Sequence, residues 1–215
     1  MKKLLIVLIL FFSYASYSQS VEKFVKKGME KLEKLNFKGA IKDYTKAIEL
    51  AAPNYVQPNI IDYQEKGYYD YAAAYYNRGR AKRSLEDYKG AIADYTKAIE
   101  LTPEFFMAYN NRGNTRADLE DYEGAIADYT RAIELTPKVE NQNILLKNRG
   151  NTKTDLEDYE GAIADYTKAI ELDPFDANAY FYRGDAKEML GDFNGACEDW
   201  KIAVSLGNEE AKKWV

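Results

Sequence analysis

Asparagines recur at two fixed positions along this sequence of 215 residues, and their side chains suggest its most specific chemistry. One set comprises Asn77, Asn111 and Asn148, and a second set, one turn away, comprises Asn114 and Asn151. A side-chain amide offers both a donor and an acceptor, so it can match a peptide backbone without reading its sequence. Asparagine is a mediocre helix former, so its recurrence needs a reason. We expect either backbone recognition or a solvated residue that was copied when the repeats duplicated.

The composition removes the commonest catalytic chemistry. The sequence contains no histidine, which excludes Ser-His-Asp and Cys-His catalysis and removes the commonest zinc ligand. Its single cysteine, Cys197, stands where the corresponding segments carry isoleucine, which favours a buried apolar residue over a reactive thiol. Recurring Glu-Asp pairs lie in turns, where they favour helix capping over metal binding. We therefore predict a protein without enzymatic activity, cofactor or metal.

Glycines in one register show that the asparagines belong to a repeated unit. The spacing is 34 residues from Gly79 to Gly113 and again from Gly150 to Gly184. Within a unit, apolar residues from Tyr88 to Ile99 follow helical spacing, so we predict amphipathic helix pairs joined by short turns. Such pairs cannot bury their apolar faces alone and must stack on neighbouring pairs.

These repeated residues resemble the tetratricopeptide repeat, a helix-pair motif of about 34 residues. The resemblance rests on an aromatic or apolar residue four before each glycine, on a later alanine-aromatic-alanine series, and on a closing proline at Pro103, Pro137 and Pro174. It covers five units, at about 21–52, 72–105, 106–139, 143–176 and 177–210. The resemblance implies an all-α fold, a right-handed α-solenoid of antiparallel helix pairs whose first helices line a concave groove.

One departure from the family is regular. Arginine replaces leucine just before the glycine, and an aspartate follows sixteen residues after each arginine. The resulting pairs are Arg78 and Asp94, Arg112 and Asp128, Arg149 and Asp165, and Arg183 and Asp199. Because a guanidinium near a helix interface requires a carboxylate, we predict an ion pair between the two helices of each unit. The alternative is an arginine ladder that binds anionic ligands.

The resemblance also implies which residues face the groove. They occupy the fifth, sixth and ninth positions of the units and are Tyr76, Asn77, Arg80, Asn110, Asn111, Asn114, Lys147, Asn148, Asn151 and Tyr182, with Phe181 and Asp185 also in the last unit. Peptide-binding members of the family use asparagines in this way, so the resemblance implies a protein or peptide partner. A carboxylate clamp for a free C-terminus is less well supported, because Arg80, Arg83 and Lys147 give only a partial set of cations.

Two insertions and the last residues interrupt the repeat. Extra residues around 138–142 favour a longer turn. The tyrosine-rich insertion 53–71 is interpreted as a loop through Asn59, then a helix that lengthens or precedes the next first helix. Its rings either fill a gap in the stack or serve recognition. Residues 208–215 favour a short helix that caps the apolar face of the last unit.

The N-terminus is typical of a secretory signal peptide at residues 1–18. Lys2 and Lys3 precede the apolar run Leu4 to Phe12, and small residues stand at Ser16 and Ser18 before a plausible cleavage point. The run is far shorter than the roughly 20 residues that span a bilayer. We predict an exported domain at 19–215, periplasmic or secreted, without a stable membrane anchor after cleavage; the alternative is an uncleaved anchor.

The charge and the repeats together indicate a binding function. The sequence has 35 acidic and 30 basic residues, which argues against a nucleic-acid partner. We predict a non-enzymatic scaffold that binds a peptide segment or helix of another protein in the concave groove. The alternative is a structural spacer or assembly factor that acts through its ends, its convex face or the tyrosine-rich insertion, including as a homo-oligomer.

Overall fold

The computed structural model describes residues 20–51, 66–136 and 139–215, and these ranges contain helices and no β-strand. The chain divides into two compact units, one ending at Ala108 and the other beginning at Tyr109. The helices of the first unit are α1 (20–33), α2 (Phe37–Ala51), α3 (Lys66–Arg83) and α4 (Tyr88–Leu101). Those that lie wholly or mostly in the second unit are α5 (Phe106–Ala117), α6 (Tyr122–Leu135), α7 (Val139–Asp155), α8 (Tyr159–Leu172), α9 (Ala177–Met189) and α10 (Phe193–Ser205), followed by a 3₁₀ turn at Glu210–Lys213.

Successive helices pack as antiparallel pairs, which confirms the predicted all-α class of stacked helix pairs. In the first unit α3 packs against α4, and in the second unit α7 packs against α8 and α9 against α10. The second helix of each pair places a large aromatic ring against the register glycine of the first helix. The rings are those of Tyr44, Tyr95, Tyr129, Tyr166 and Trp200, all buried. These rings form the core because only a glycine leaves room for them at so close a helix contact.

Aspartates at the turns begin the second helices. Asp121 accepts a hydrogen bond from the backbone N–H of Gly124 at 3.1 Å, and Asp158 accepts one from Gly161 at 3.0 Å. Asp87 and Asp192 form the same contact in their own turns. Each bond satisfies one of the backbone donors that a helix N-terminus leaves unpaired. The predicted capping role of the Glu-Asp pairs is therefore confirmed for the aspartates.

The glutamate before each capping aspartate adopts an unfavourable backbone conformation. Glu120 has φ of 62°, whereas the last unit places Gly191, with φ of 80°, in its turn. A side chain in this region costs roughly 1–2 kcal/mol, and the extra freedom of glycine in the unfolded chain offsets only part of that cost. We expect Glu120→Gly to raise the free energy of unfolding by about 0.5–1 kcal/mol in urea denaturation. Glu123→Gly, inside α6, should lower the free energy of unfolding by up to about 1 kcal/mol. Equal effects of the two changes would contradict the backbone strain at Glu120.

The predicted pairing of arginine with aspartate is confirmed in all four repeats that carry the arginine. In the second unit, Arg149 Nε and Nη2 donate to the two carboxylate oxygens of Asp165 at 2.8 and 2.6 Å. Arg78 and Asp94, in the first compact unit, make the same bidentate contact at 2.8 and 2.7 Å. The remaining pairs repeat it with distances of 2.7 to 2.9 Å. These guanidinium groups are occupied by structural carboxylates, so the alternative of an anion-binding ladder loses its basis.

Each aspartate also has a second cation, and most arginines contact a third residue. Asp165 is 2.9 Å from Lys153 Nζ, and Arg149 Nη1 donates to Thr130 Oγ1 of the preceding repeat at 2.9 Å. Arg183 reaches Thr167 in the same way at 3.2 Å. The arginine therefore joins the two helices of its own pair and also links that pair to the previous one. This inter-repeat contact was not predicted from the sequence.

The insertions differ in part from their predicted structure. Residues 139–142 belong to α7, so the prediction of a longer turn is wrong for them. They include good helix formers, and Gln142 Nε2 lies 3.5 Å from the carbonyl oxygens of Ile133 and Thr136 at the end of α6. The helix beginning at Lys66 lengthens the first helix of its unit, as one of the two expected arrangements. The predicted signal peptide, the loop through Asn59 and most of the tyrosine-rich insertion lie outside the described residues.

The last residues form a single 3₁₀ turn at Glu210–Lys213 rather than the expected helix over 208–215. Asn208 Oδ1 accepts a hydrogen bond from the N–H of Ala211 at 2.9 Å, and Ala211 is fully buried. The Trp214 ring stacks on Trp200 with a centroid distance of 5.6 Å. The turn and this ring cover part of the last helix pair.

Candidate functional site

In the first unit, the predicted site residues Tyr76, Asn77 and Arg80 lie together on α3. Asn77 is only 9% exposed, and its Nδ2 donates to the carbonyl oxygen of Ala73 at 3.0 Å. Arg80 Nη1 donates to Asn77 Oδ1 at 3.2 Å, and its guanidinium lies 5.9 Å from the Tyr76 ring centroid. Both the donor and the acceptor of the Asn77 amide therefore form hydrogen bonds within α3. The side chain has less hydrogen-bonding capacity left for a ligand than its sequence position suggests.

In the second unit, the predicted asparagines of α5 and α7 contact one another. Asn148 Nδ2 donates to Asn110 Oδ1 at 3.1 Å and lies 3.4 Å from Asn114 Oδ1. Asn110 Nδ2 in turn lies 3.4 Å from Asn111 Oδ1. All four side chains are partly exposed. The structure thus joins amides from two successive repeats into one row.

The second set of asparagines also has a structural role, which was not predicted from the sequence. Asn114 Oδ1 accepts a hydrogen bond from the buried hydroxyl of Tyr129 at 2.7 Å. Asn151 Oδ1 accepts one from Tyr166 at 2.7 Å, and burial raises the pKa of the Tyr166 hydroxyl. In the last repeat Asp185 replaces the asparagine and accepts the Trp200 indole N–H at 2.9 Å. The recurrence of a tyrosine fifteen residues after each asparagine was the signal that could have revealed this pairing.

The first repeat lacks this acceptor, which gives a test of its value. Met29 stands after Gly28 where the third and fourth repeats carry asparagine, and the Tyr44 hydroxyl has no hydrogen-bond partner in the described part of the chain. Burial raises the pKa of Tyr44 to about 12. We expect Met29→Asn to raise the free energy of unfolding by about 1 kcal/mol by satisfying that hydroxyl, measured by urea denaturation. The gain should disappear in a Tyr44→Phe background; a gain that persists there would contradict the pairing.

Lys147 is not available as a free cation. Its Nζ forms an ion pair with Asp176, whose Oδ1 also accepts hydrogen bonds from the backbone N–H groups of Asn178 and Ala179 at 3.1 Å. The same carboxylate therefore caps α9 and neutralises Lys147. This pairing weakens the case for a carboxylate clamp in the second unit.

Tyr182 on α9 stands at the repeat position that Asn111 and Asn148 hold on α5 and α7. Its ring centroid lies 6.0 Å from that of Tyr166, whose hydroxyl binds Asn151. We call the surface formed on α5, α7 and α9 the asparagine face, and its residues are Asn110, Asn114, Asn148, Asn151, Tyr182 and Asp185. The asparagine face combines amides, an aromatic ring and one carboxylate, which suits hydrogen bonding to a polypeptide.

The fold and this face define a class, namely a repeat protein of stacked helix pairs. Models described as TPR repeat match residues 79–120 and 150–191, and one described as tetratricopeptide repeat matches residues 106–139. The helices in the described ranges fit about five such pairs. The chain is therefore a tetratricopeptide repeat protein, a family of protein–protein interaction scaffolds.

Solved structures share this fold at low sequence identity. A crystal structure of MamA protein is 23% identical, with a TM-score of 0.73, and the match covers 90% of this chain and 95% of that chain. A tetratricopeptide repeat protein from Parabacteroides merdae is 19% identical, with a TM-score of 0.73, over 91% and 73% of the two chains. YrrB, described as a TPR protein with an unusual peptide-binding site, is 20% identical, with a TM-score of 0.70, over 92% and 97%.

Among curated proteins, none matches the sequence significantly. No helix within residues 20–51, 66–136 or 139–215 is both long and apolar enough to cross a membrane. Across the same ranges, no three cysteine or acidic side chains form a group that could hold a metal ion.

Proposed function

We propose that the protein is a non-enzymatic scaffold that binds an extended segment of a partner protein along the asparagine face. The observation that carries the proposal is the row of amides from Asn110 through Asn148 to Asn114. Asn148 uses its donor to join the row, while its Oδ1 accepts no hydrogen bond from the described residues. A carbonyl oxygen has two lone pairs, so this atom is placed to accept a backbone N–H of a ligand.

Recognition through amides would allow such a surface to accept many different side chains on the partner. Main-chain hydrogen bonds are independent of sequence, whereas rings such as Tyr182 supply contact area at low entropic cost. The likeness to YrrB, whose description includes a peptide-binding site, favours the same type of ligand.

Selection of displayed random peptides on the immobilised domain tests the proposal. Wild type should retain a larger fraction of the displayed peptides than the double variant Asn110→Ala/Asn148→Ala, because the row of amides is lost in the variant. Asn114 keeps its bond to Tyr129 in that variant, so the core remains intact. Asn194→Ala, an exposed change on α10, is the matched control and should behave as wild type. Equal enrichment by wild type and the double variant would refute recognition by the amides.

We further propose that the protein is exported and acts in the periplasm or outside the cell. The basic start, the short apolar run and the small residues near Ser18 support this location. N-terminal sequencing of the protein from fractionated cells should find Gln19 as the first residue of the exported form. An intact Met1 in the cytosolic fraction would contradict export.

The alternative function as a self-associating spacer meets an obstacle in the terminal repeats. The contact between repeats uses an arginine of one unit and a threonine of the preceding unit, as in Arg183 and Thr167. The equivalent residue of the first repeat is Lys27, and the threonine equivalent of the last repeat is Lys201. Stacking two copies end to end would bring two lysines together, which is unfavourable. We expect a monomer in sedimentation velocity at micromolar concentration. Larger species that increase with protein concentration would contradict this expectation.

A further inference from the structure

The acidic residue of the asparagine face is not required by the fold. Asn114 and Asn151 accept hydrogen bonds from Tyr129 and Tyr166 at 2.7 Å, and Asp185 does the same for Trp200 at 2.9 Å. A neutral amide oxygen therefore fulfils the structural task in two repeats, and the Trp200 N–H needs only an acceptor. The negative charge of Asp185 remains without a structural reason.

This charge is also unfavourable where it stands. Asp185 is partly buried, and burial together with Glu188 and Glu210 raises the pKa of its carboxyl group. It forms no ion pair with any described residue, whereas the buried Asp199 on the neighbouring helix is held by Arg183 at 2.7 Å and by Lys187 at 2.8 Å. Asp199 thus has two cationic partners and Asp185 has none among the described residues, although both lie in the same helix pair.

The surroundings of Asp185 add negative charge. Glu188 follows one turn later on α9, and Asp155 at the end of α7 is exposed without an ion pair among the described residues. Lys147, the cation that α7 contributes to the predicted site, is matched by Asp176. A polypeptide lying along this face would therefore meet backbone-binding amides at Asn148 and an uncompensated acidic surface at Asp185.

We propose that the asparagine face binds a polypeptide segment that carries a lysine or arginine side chain, with its cation placed against Asp185. Charge complementarity selects this partner, because a cation would give the partly buried carboxylate the neutral environment that its own chain withholds. The partly exposed ring of Tyr182 adds a surface on which a cation can rest. The inference rests on the proposed function and specifies the chemistry of its ligand.

Nuclear magnetic resonance titration of the isotope-labelled full chain tests this inference with three synthetic peptides. The peptides share a glycine-serine frame of equal length and differ only in two central residues, which are lysine, glutamine or glutamate. We expect the lysine peptide to shift resonances of the asparagine face and to bind about fivefold more tightly than the glutamine peptide at low salt. The preference should weaken as the salt concentration is raised, because added ions screen the charges.

Asp185→Asn isolates the charge from the structure. Asparagine retains the acceptor for Trp200, as Asn114 and Asn151 do for their tyrosines, so the fold should be preserved. A group with a raised pKa destabilises the folded state once it ionises, so the variant should be at least as stable as wild type at pH 7, and the gain should vanish below the ordinary carboxyl pKa. We expect this variant to bind lysine and glutamine peptides equally. Glu198→Gln, on the exposed side of α10, removes the same charge and should leave the preference intact.

The outcomes separate the two proposals. A lysine preference that survives in Asp185→Asn, or that falls equally in Glu198→Gln, would overturn the assignment to Asp185. Equal binding of lysine and glutamine peptides at the asparagine face would overturn the basic partner and leave the scaffold function standing. Shifts confined to other surfaces, or none up to millimolar lysine peptide, would overturn both.

Discussion

Replacing Arg149 by leucine should lower the free energy of unfolding of the protein by about 3 kcal/mol. The change removes both hydrogen bonds to Asp165, at 2.8 and 2.6 Å, and the bond to Thr130 at 2.9 Å. Asp165, which is 4% exposed, would keep only Lys153 as a cation. Breaking one side of a buried pair leaves the Asp165 carboxylate only partly compensated, by Lys153, and this penalty exceeds the modest gain from burying a leucine. Urea denaturation followed by circular dichroism measures the loss.

Two further variants separate the charge from the geometry. The double variant Arg149→Leu/Asp165→Ala removes the stranded carboxylate and should recover about half of the loss. Arg149→Lys keeps the charge but not the planar fork, so it should cost about 1–2 kcal/mol. If Arg149→Leu alone cost less than about 1 kcal/mol, the pair would contribute no more to stability than an exposed ion pair does. An unchanged denaturant slope is required for each comparison.

The arginine and aspartate pairs illustrate which contacts a repeated sequence reveals. Arg149 and Asp165 recur together at fixed spacing in four units, and both are charged types that burial forces into pairs. Recurrence therefore predicts the contact within a unit. The bond from Arg149 to Thr130 joins different units, and threonine is common enough on helices that its recurrence carries little information on its own. The helix-pair fold followed from the glycine register, but the links between pairs did not.

The candidate site was less predictable than the fold. The repeat positions of Asn114 and Asn151 predict that they face the groove, and the structure shows that each also satisfies a buried tyrosine hydroxyl. Asn77 stands at the same repeat position as Asn148, yet it is engaged within α3 because Arg80 lies close enough to donate to it. Such differences arise from one neighbouring side chain. Equivalent positions in a repeat therefore have the same backbone environment but not the same hydrogen-bond partners.

Residues 139–142 show that the structure of an insertion is also hard to predict from the repeat pattern. The extra residues between repeats predict a longer turn, because a loop is the usual place for added length. The chain instead extends α7 backward, since nothing after residue 138 breaks a helix and Gln142 reaches carbonyl oxygens at the end of α6. Local helix propensity accounts for this outcome better than the alignment to the repeat does.

Gly150→Ala should destabilise the protein by about 2 kcal/mol, although alanine is the better helix former. A Cβ added at Gly150 would lie 2.7 Å from Cε1 of the Tyr166 ring, well inside contact distance. That ring is 1% exposed and tethered through its hydroxyl to Asn151 at 2.7 Å, so it cannot move aside cheaply. The overlap costs about 3 kcal/mol, and the helix propensity of alanine offsets about 1 kcal/mol of it. Urea denaturation decides between the two effects by the sign of the change.

The same measurement on two further variants shows whether the Tyr166 ring causes the destabilisation. Ile144→Ala, on the same helix but 58% exposed, should change the free energy of unfolding by less than about 0.5 kcal/mol. In a Tyr166→Leu background the alanine at position 150 should become nearly neutral, because the ring that it meets is gone. An increase in stability on Gly150→Ala alone would show that propensity prevails and that α7 and α8 can separate without cost. We expect the opposite, because each register glycine is the point at which a buried ring fixes the distance between paired helices.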